Sequence, residues 1–223
     1  NTGGANPVYW LRIIAKEGGY LRVANLAQSG ARGGKIAAVE AAIEPELVYP
    51  LVRWGDVARY RAAPSAYILM SQDPLARRGY DENEMRERFP KTYAYLAGHK
   101  ERLEARAAYR SYQADAAFYS MYNVGEYTLA PIKVVWRRMD KRINAAVLEP
   151  VDDRFLGYRP VVPQETCVLI AAASRDEAHY LAAVLNSRRT ELLACGHSVM
   201  GGKGFGSPGI LDYLGIERFL PED

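Results

Sequence analysis

Several features that would assign a chemistry are scarce in this chain of 223 residues. It has only two cysteines, Cys167 and Cys195, which cannot crosslink a chain of this size. We therefore expect both thiols to be reduced and the protein to be cytoplasmic. The longest apolar run, residues 167–173, is far shorter than the ~18 residues that a membrane-spanning helix needs. A membrane partner is therefore not expected.

Motifs of catalysis are equally scarce. The histidines His99, His179 and His197 stand far apart, and no Cys-x-x-Cys pair occurs, so we predict no metal site. No serine lies in a Gly-x-Ser-x-Gly turn. The glycine-rich segment 200–207 follows a predicted helix, whereas a phosphate-binding loop follows a strand. A connecting loop is the favoured interpretation of this segment, with a contact to a nucleic-acid backbone as the alternative. We predict no catalytic residues.

The chain does have a regional excess of positive charge. Its net charge is +3, but residues 77–142 contain 14 Lys and Arg against 9 Asp and Glu. Aromatic residues are interspersed with these charges, at Tyr109, Tyr112, Phe118, Tyr119, Tyr122, Tyr127 and Trp136. Exposed aromatic rings can stack on bases, and guanidinium groups can bind phosphates or guanine edges. The alternative is that the tyrosines fill the core and the arginines cover its surface, and composition alone leaves both open.

The order of predicted elements indicates the fold class. Strands are predicted at residues 8–14, 20–26, 35–43, 47–54, 66–71, 132–138, 145–148 and 166–173. Asp81 can cap a short helix, and after Pro90 a long helix is predicted over residues 91–112. Ser174 and Glu177 have the spacing of a capping box, which begins a helix to about residue 187, and another helix follows at 189–194. We predict an α+β fold: a mixed, largely antiparallel sheet with a long central helix and a C-terminal helical pair.

Several segments, in order along the chain, match motifs of one enzyme family. Residues 2–9 resemble a Thr-Gly-x-Asn entry motif, and residues 44–57 resemble the pattern Glu…Tyr-Pro-Leu-x-Arg-Gly-x-Asp. Residues 89–106 resemble the helix that follows this pattern. Residues 125–136 are similar to Tyr-x-x-x-Pro-Lys-Val-x-Trp, and residues 177–187 resemble a closing helix. The family is the adenine-N6 DNA methyltransferases, and the segments resemble their target-recognition domain.

The resemblance covers nearly the whole chain and implies a DNA target-recognition domain related to the specificity modules of Type I and Type IIG restriction–modification systems. In such proteins a neighbouring methylase domain flips an adenine and transfers a methyl group to it from S-adenosylmethionine. The Asn-Pro-Pro-aromatic tetrad of that domain is missing, because Asn6-Pro7-Val8-Tyr9 departs at its third position. We therefore expect no cofactor and no activity in this chain alone, with S-adenosylmethionine bound by the parent protein.

The start of the chain suggests its domain organisation. It begins at Asn1 without a methionine. We expect residues 1–223 to form a single domain of a larger protein, with the methylase domain N-terminal to it and belonging to the same parent chain.

The predicted DNA-binding residues form two groups. Arg102, Arg106 and Arg110 lie at i, i+4 and i+8 on one side of the predicted long helix, where they can contact phosphates. The candidates for base reading are Arg137, Arg138, Lys141, Arg142 and the loop around Lys203. Lys133 is a further candidate, although it shares a predicted strand with Trp136, and for these two a structural role is favoured over direct contact.

The leading hypothesis is therefore sequence-specific recognition of double-stranded DNA. The alternative is a protein-interaction module without nucleic-acid specificity, whose tyrosine-rich surface binds a partner. A stand-alone enzyme would need a deep pocket with converging titratable groups, which no motif indicates.

Overall fold

The computed structural model describes residues 1–26, 37–197 and 206–220. In these ranges the helices are α1 (Asn6–Tyr9), α2 (Glu82–Arg88), α3 (Pro90–Ala97), α4 (Lys100–Glu104), α5 (Ala107–Tyr112), α6 (Glu126–Leu129), α7 (Arg175–Leu185), α8 (Arg188–His197) and α9 (Leu211–Leu214). The strands are β1 (Trp10–Glu17), β2 (Tyr20–Asn25), β3 (Glu40–Ile43), β4 (Val48–Val52), β5 (Val57–Ala58), β6 (Arg61–Ala62), β7 (Ala66–Leu69), β8 (Gln72–Asp73), β9 (Arg78–Gly79), β10 (Lys133–Arg137), β11 (Ala146–Leu148), β12 (Val151–Asp153), β13 (Gly157–Arg159), β14 (Val162–Pro163) and β15 (Cys167–Ala171). Short 3-10 helices cover Pro45–Leu47, Trp54–Asp56 and Pro208–Ile210.

The chain divides into two compact units, each built from separate stretches of sequence. Unit 1 comprises Asn1–Pro50, Ala66–Thr128 and Asp152–Arg159. Unit 2 comprises Leu51–Ser65, Leu129–Val151 and Pro160–Asp223, as far as these stretches are described. The mixture of helices and strands confirms the predicted α+β class, and one target-recognition domain over residues 1–223 stays a prediction.

Unit 1 contains a sheet with the strand order β4-β7-β1-β2-β3. β1 and β2 form an antiparallel hairpin in which Glu17 pairs with Tyr20. The two residues between them, Gly18 and Gly19, have φ angles of +57° and +85°, which glycine adopts without steric cost. The first strand was predicted from residue 8, but β1 begins only at Trp10, because residues 6–9 form α1 with Pro7 in its first turn.

The predicted long central helix is wrong. Residues 90–112 instead form α3, α4 and α5, with breaks at Gly98–His99 and at Arg106. Glycine is a poor helix former, and it follows directly on the last residue of α3. At the second break the Arg106 backbone is extended, with φ −60° and ψ 125°, and its side chain enters the core. Helical periodicity could not reveal this break, since it depends on where the arginine finds its partners.

Unit 2 is built on a three-stranded antiparallel sheet with the order β11-β10-β15. Side chains of β10 are buried on both faces of the sheet. Val134 and Trp136 pack with Ala178, Ala182 and Leu185 of α7, among other core residues, whereas Val135 packs with a separate apolar cluster. The last residues of β4 also belong to this unit, where Leu51 pairs in parallel with Val162 of β14.

The C-terminal helical pair is confirmed as α7 and α8. Ser174 caps α7, because its hydroxyl accepts a hydrogen bond from the Glu177 amide at 3.1 Å. The Glu177 carboxylate accepts one from the Ala173 amide at 2.6 Å. This is the predicted capping pattern with one difference. The Glu177 carboxylate binds the amide of Ala173 instead of the amide of Ser174. Asn186 follows the last residue of α7, and its side chain binds the Ala145 backbone.

Candidate nucleic-acid interface

The first predicted group of arginines does not share a helix face. Arg102 lies on α4 and is half-buried, Arg110 lies on α5 and is exposed, and Arg106 lies between the two helices and is only 5% exposed. Because the helix is broken, the spacing i, i+4, i+8 does not align these side chains. The predicted phosphate-binding row is therefore not assembled as one surface.

Arg106 is bound to backbone carbonyls in the interior of unit 1. Its Nε donates to Leu103 O at 2.7 Å and its Nη1 donates to Thr2 O at 3.1 Å and to Ser120 O at 2.9 Å. Its Nη2 donates to Phe118 O at 2.6 Å. The guanidinium thus links the N-terminal segment to residues 118–120. This placement corrects the prediction of a phosphate contact, because the donors of Arg106 point at protein oxygens.

The other two arginines keep access to solvent. Arg110 Nη2 donates to Ala105 O at 3.1 Å, which leaves the rest of its guanidinium exposed. Arg102 lies near His99, and burial together with the smaller effect of the Arg102 charge holds the pKa of His99 below its ordinary value.

The aromatic residues of segment 109–136 mostly fill the core. Tyr109, Phe118, Tyr119 and Trp136 are buried. Phe118 and Tyr119 meet edge to face, with ring centroids 4.9 Å apart. Tyr112 and Tyr127 are exposed and Tyr122 is half-buried, but these three are separated in sequence and form no run of exposed tyrosines. The structure therefore favours the alternative in which tyrosines of this segment stabilise the fold, and it offers little support for a tyrosine-rich binding surface there.

Lys133 is buried at the start of β10. Its Nζ donates a hydrogen bond to the Ala130 carbonyl, and burial lowers the pKa of Lys133 to about 8. Trp136 is also fully buried, and its Nε1 donates to Gly206 O at 2.8 Å. These placements fit the structural role that the sequence favoured for both residues, and they do not support Lys133 as a direct DNA contact.

The described members of the second predicted group lie in a short segment that begins with the last residue of β10. We call residues 137–142 the basic turn. Arg138, Lys141 and Arg142 are exposed there, and Arg142 forms an ion pair of 3.1 Å with Glu191 while its side chain stays 69% exposed. Lys203 lies outside the described residues.

Arg137 differs from the other basic residues of this turn. Its Nη1 lies 3.3 Å from the Asp140 carboxylate, and its Nη2 donates to the Val57 carbonyl. The guanidinium carbon lies 4.3 Å from the centre of the Trp54 ring, in cation–π contact. Arg137 is therefore held by protein groups on several sides and positions the turn.

The backbone of the basic turn is fixed at several points. Trp54 Nε1 donates to Met139 O at 3.0 Å, and the Arg138 amide donates to Thr166 O at 2.9 Å. The Gly206 amide donates to Arg138 O at 2.9 Å. A Cβ atom on Gly206 would lie 2.4 Å from Arg137 O, so only glycine fits there. The exposed cations are thus presented on a well-supported backbone.

Two residues of the family motif in segment 44–57 have visible structural roles. Glu44 is buried and binds the N-terminus of α3, since its Oε1 accepts from the Lys91 amide at 3.0 Å and its Oε2 from the Thr92 amide at 2.7 Å. Asp56 accepts from the Arg53 amide at 2.8 Å and from Ser65 Oγ at 2.5 Å. The Asp56 contacts hold the short helix that carries Trp54.

Sequence reasoning missed Trp54 and the tripeptide Arg59-Tyr60-Arg61. Trp54 is 38% exposed and supports the basic turn, while the tripeptide is exposed at the tip of the β5–β6 hairpin. A basic–aromatic–basic run is a recognisable pattern of nucleic-acid binding, but residues 59–61 lie outside the segment 77–142 that has the excess of positive charge.

Other kinds of site find little support. Within the part of the chain that the structure describes, no group of three or more His, Cys, Asp and Glu is placed to hold a metal ion. Of the helices in the described ranges, none has the length and apolarity needed to cross a bilayer.

Comparison with known proteins gives one distant relation. No family model matches the chain. Over 146 residues the chain is 26% identical to the Type II methyltransferase M.NspV of Nostoc sp. (strain ATCC 29411 / PCC 7524). The chain is distantly similar to a Type II methyltransferase. The match covers 65% of this chain but only 28% of the relative, so the chain corresponds to a minor part of that protein.

Proposed function

We propose that this chain is the DNA target-recognition domain of an adenine-N6 DNA methyltransferase or of a fused restriction–modification enzyme. In this proposal it binds double-stranded DNA, and a methylase domain N-terminal to it in the same parent chain binds S-adenosylmethionine and carries out methyl transfer. The chain itself has no catalytic role.

The observation that carries the proposal is the basic turn. Arg138 and Lys141 are exposed cations on a backbone that Trp54, Thr166 and Gly206 hold in place. An arginine can bind a guanine edge through two hydrogen bonds, and a lysine can bind a phosphate or a base oxygen. A fixed backbone reduces the conformational entropy that these side chains lose on binding.

The distant relation supports the proposal from a second direction. The matched region is a minor part of M.NspV, as expected if this chain corresponds to one domain of a larger methyltransferase. The ordered motifs at residues 44–57 and 125–136 resemble the same kind of enzyme.

The test is the salt dependence of DNA binding by the 223-residue chain. Binding of a fluorescently labelled duplex with a randomised centre is measured by anisotropy at several salt concentrations. The double variant Arg138→Gln/Lys141→Gln is expected to bind more weakly, and its log–log slope against salt is expected to fall by about two units, since each lost phosphate contact accounts for about 0.9.

The matched control changes the same net charge in unit 1. Arg12 and Arg154 are both exposed, and the variant Arg12→Gln/Arg154→Gln is expected to keep most of the wild-type affinity and slope. Equal losses in the two double variants would show a non-specific charge effect. A wild-type chain that does not bind the duplex would contradict the proposal.

A further inference from the structure

The β5–β6 hairpin of unit 2 presents an aromatic residue between two arginines. Val57 pairs with Ala62 and Ala58 with Arg61, which leaves a loop of only Arg59 and Tyr60. Both loop residues and Arg61 are exposed, and the Tyr60 side chain is 60% exposed. The hairpin residues 57–62 contain two arginines and no Asp or Glu, and Asp56, which precedes them, accepts hydrogen bonds from Arg53 and Ser65.

The backbone at the tip is in a conformation that a tyrosine rarely adopts. Tyr60 has φ +61°, in the left-handed region, where glycine or asparagine is usual at the second position of such a loop. A bulky side chain there costs conformational energy that glycine would avoid. A residue that raises the energy of the fold and is itself 60% exposed is a candidate for a functional contact.

A hydrogen-bond network holds this tip in place. The Tyr60 amide donates to Ala145 O at 2.8 Å, and Asn186 Nδ2 donates to the same oxygen at 2.8 Å. The Ala145 amide donates to Asn186 Oδ1 at 2.9 Å, and Arg59 Nη2 donates to Asn186 O at 2.7 Å. Because Asn186 is buried, the network connects the exposed tip to the core of unit 2. The Tyr60 ring is therefore presented from a fixed backbone.

The tip is also linked to the basic turn. Arg137 donates to the carbonyl of Val57, the first residue of the hairpin, so the hairpin and the turn are joined by a direct hydrogen bond. Arg59 lies with its guanidinium carbon 5.4 Å from the centre of the Tyr60 ring. Arg59 and Arg61 thus flank the exposed Tyr60 in sequence. The hydrogen bond from Arg137 connects their hairpin to the basic turn, which is the proposed DNA surface.

We propose that Tyr60 is a wedge that stacks against a base step of the bound duplex, with Arg59 and Arg61 neutralising the flanking phosphates. This inference rests on the proposed function. It adds a contact whose strength depends on how easily the two base pairs of a step unstack. A two-stranded ribbon is narrow enough to enter the major groove. Side chains inserted between bases favour steps that unstack easily.

The test compares Tyr60→Gly and Tyr60→Phe with the wild-type 223-residue chain. Two labelled duplexes are used, one fully paired and one with a central mismatch that weakens stacking. The wild type is expected to prefer the mismatched duplex. Tyr60→Gly is expected to lose about tenfold in affinity and most of this preference, because a base–aromatic stack is absent. Tyr60→Phe is expected to keep both.

Two further readouts separate a DNA contact from a role in folding. Tyr60→Gly is expected to melt at the wild-type temperature or above, since glycine adopts the positive φ without strain. Its salt slope is expected to match the wild type, because tyrosine carries no charge. Unchanged DNA affinity in Tyr60→Gly, or a lower melting temperature that accounts for weaker binding, would overturn the inference.

These experiments distinguish a failure of the wedge from a failure of the proposed DNA-binding function. If Arg138→Gln/Lys141→Gln weakens binding while Tyr60→Gly does not, the wedge is wrong and the DNA-binding function stands. If the wild type binds neither duplex, both proposals fail.

Discussion

The buried Arg106 offers the sharpest test of the interior of unit 1. Its guanidinium donates four hydrogen bonds to the carbonyls of Thr2, Leu103, Phe118 and Ser120, at 2.6 to 3.1 Å. The substitution Arg106→Met keeps an unbranched apolar stem that reaches about as far as Nε, but it removes the guanidinium and every donor. The carbonyls then lose the hydrogen bonds from Arg106 in a region that is largely closed to water, although Thr2 O keeps the one from the Ala5 amide.

The expected loss follows from these bonds. A hydrogen bond that involves a charged group contributes about 1.5–3 kcal/mol. The four are not additive, because they share one guanidinium, but each buried carbonyl left without a donor costs about 1–3 kcal/mol, so we expect a total loss of about 3–5 kcal/mol. Since a domain is stabilised by only about 5–15 kcal/mol, a loss of this size would reduce the free energy of unfolding by a large fraction.

The assay is equilibrium unfolding in guanidinium chloride, followed by circular dichroism. Arg110→Met is the matched control, because Arg110 is exposed and its Nη2 donates to Ala105 O at the surface. Its unfolding midpoint is expected to stay close to that of the wild type. Arg106→Lys is expected to fall between the two, since an ammonium cannot reach all four carbonyls. Equal midpoints for Arg106→Met and Arg110→Met would refute the reasoning.

Two further predictions concern unit 2. Burial lowers the pKa of Lys133 from 10.5 to about 8, so this residue binds more protons in the unfolded chain between these values, and its contribution to stability is expected to rise with pH across this window. Lys133→Met is expected to lack that rise when urea unfolding is compared at pH 7.5 and pH 10, and an identical pH response would contradict it. Gly206→Ala is expected to lower the melting temperature, because the added Cβ would lie 2.4 Å from Arg137 O. Gly196→Ala is the control, since a Cβ there meets no atom within 4 Å, and equal melting temperatures would contradict the close approach at Gly206.

Some features could be predicted because their causes lie close together in the sequence. The capping pair Ser174–Glu177 acts within a few residues, and the helix it begins forms where the pattern indicated. The basic turn was also predicted in part. Arg138, Lys141 and Arg142 are adjacent in sequence, so their common location required no knowledge of the fold.

Other features depend on contacts between distant residues. Arg102, Arg106 and Arg110 fit helical spacing, but Thr2 and the carbonyls of residues 118–120 attract Arg106 into the core and the helix breaks beside it. No local pattern contains this information.

By itself, then, the order of amino acids determined the α+β class, the local turns and caps, and the clustering of cations after β10, since these follow from short-range sterics, capping and charge. Only the tertiary structure decided which cations face solvent. It buried Lys133, bound Arg137 to Val57 and Asp140, and held Tyr60 to Ala145. The reason is that the burial and partners of a polar side chain are set by backbone groups far away in sequence, which meet it only once the chain has folded.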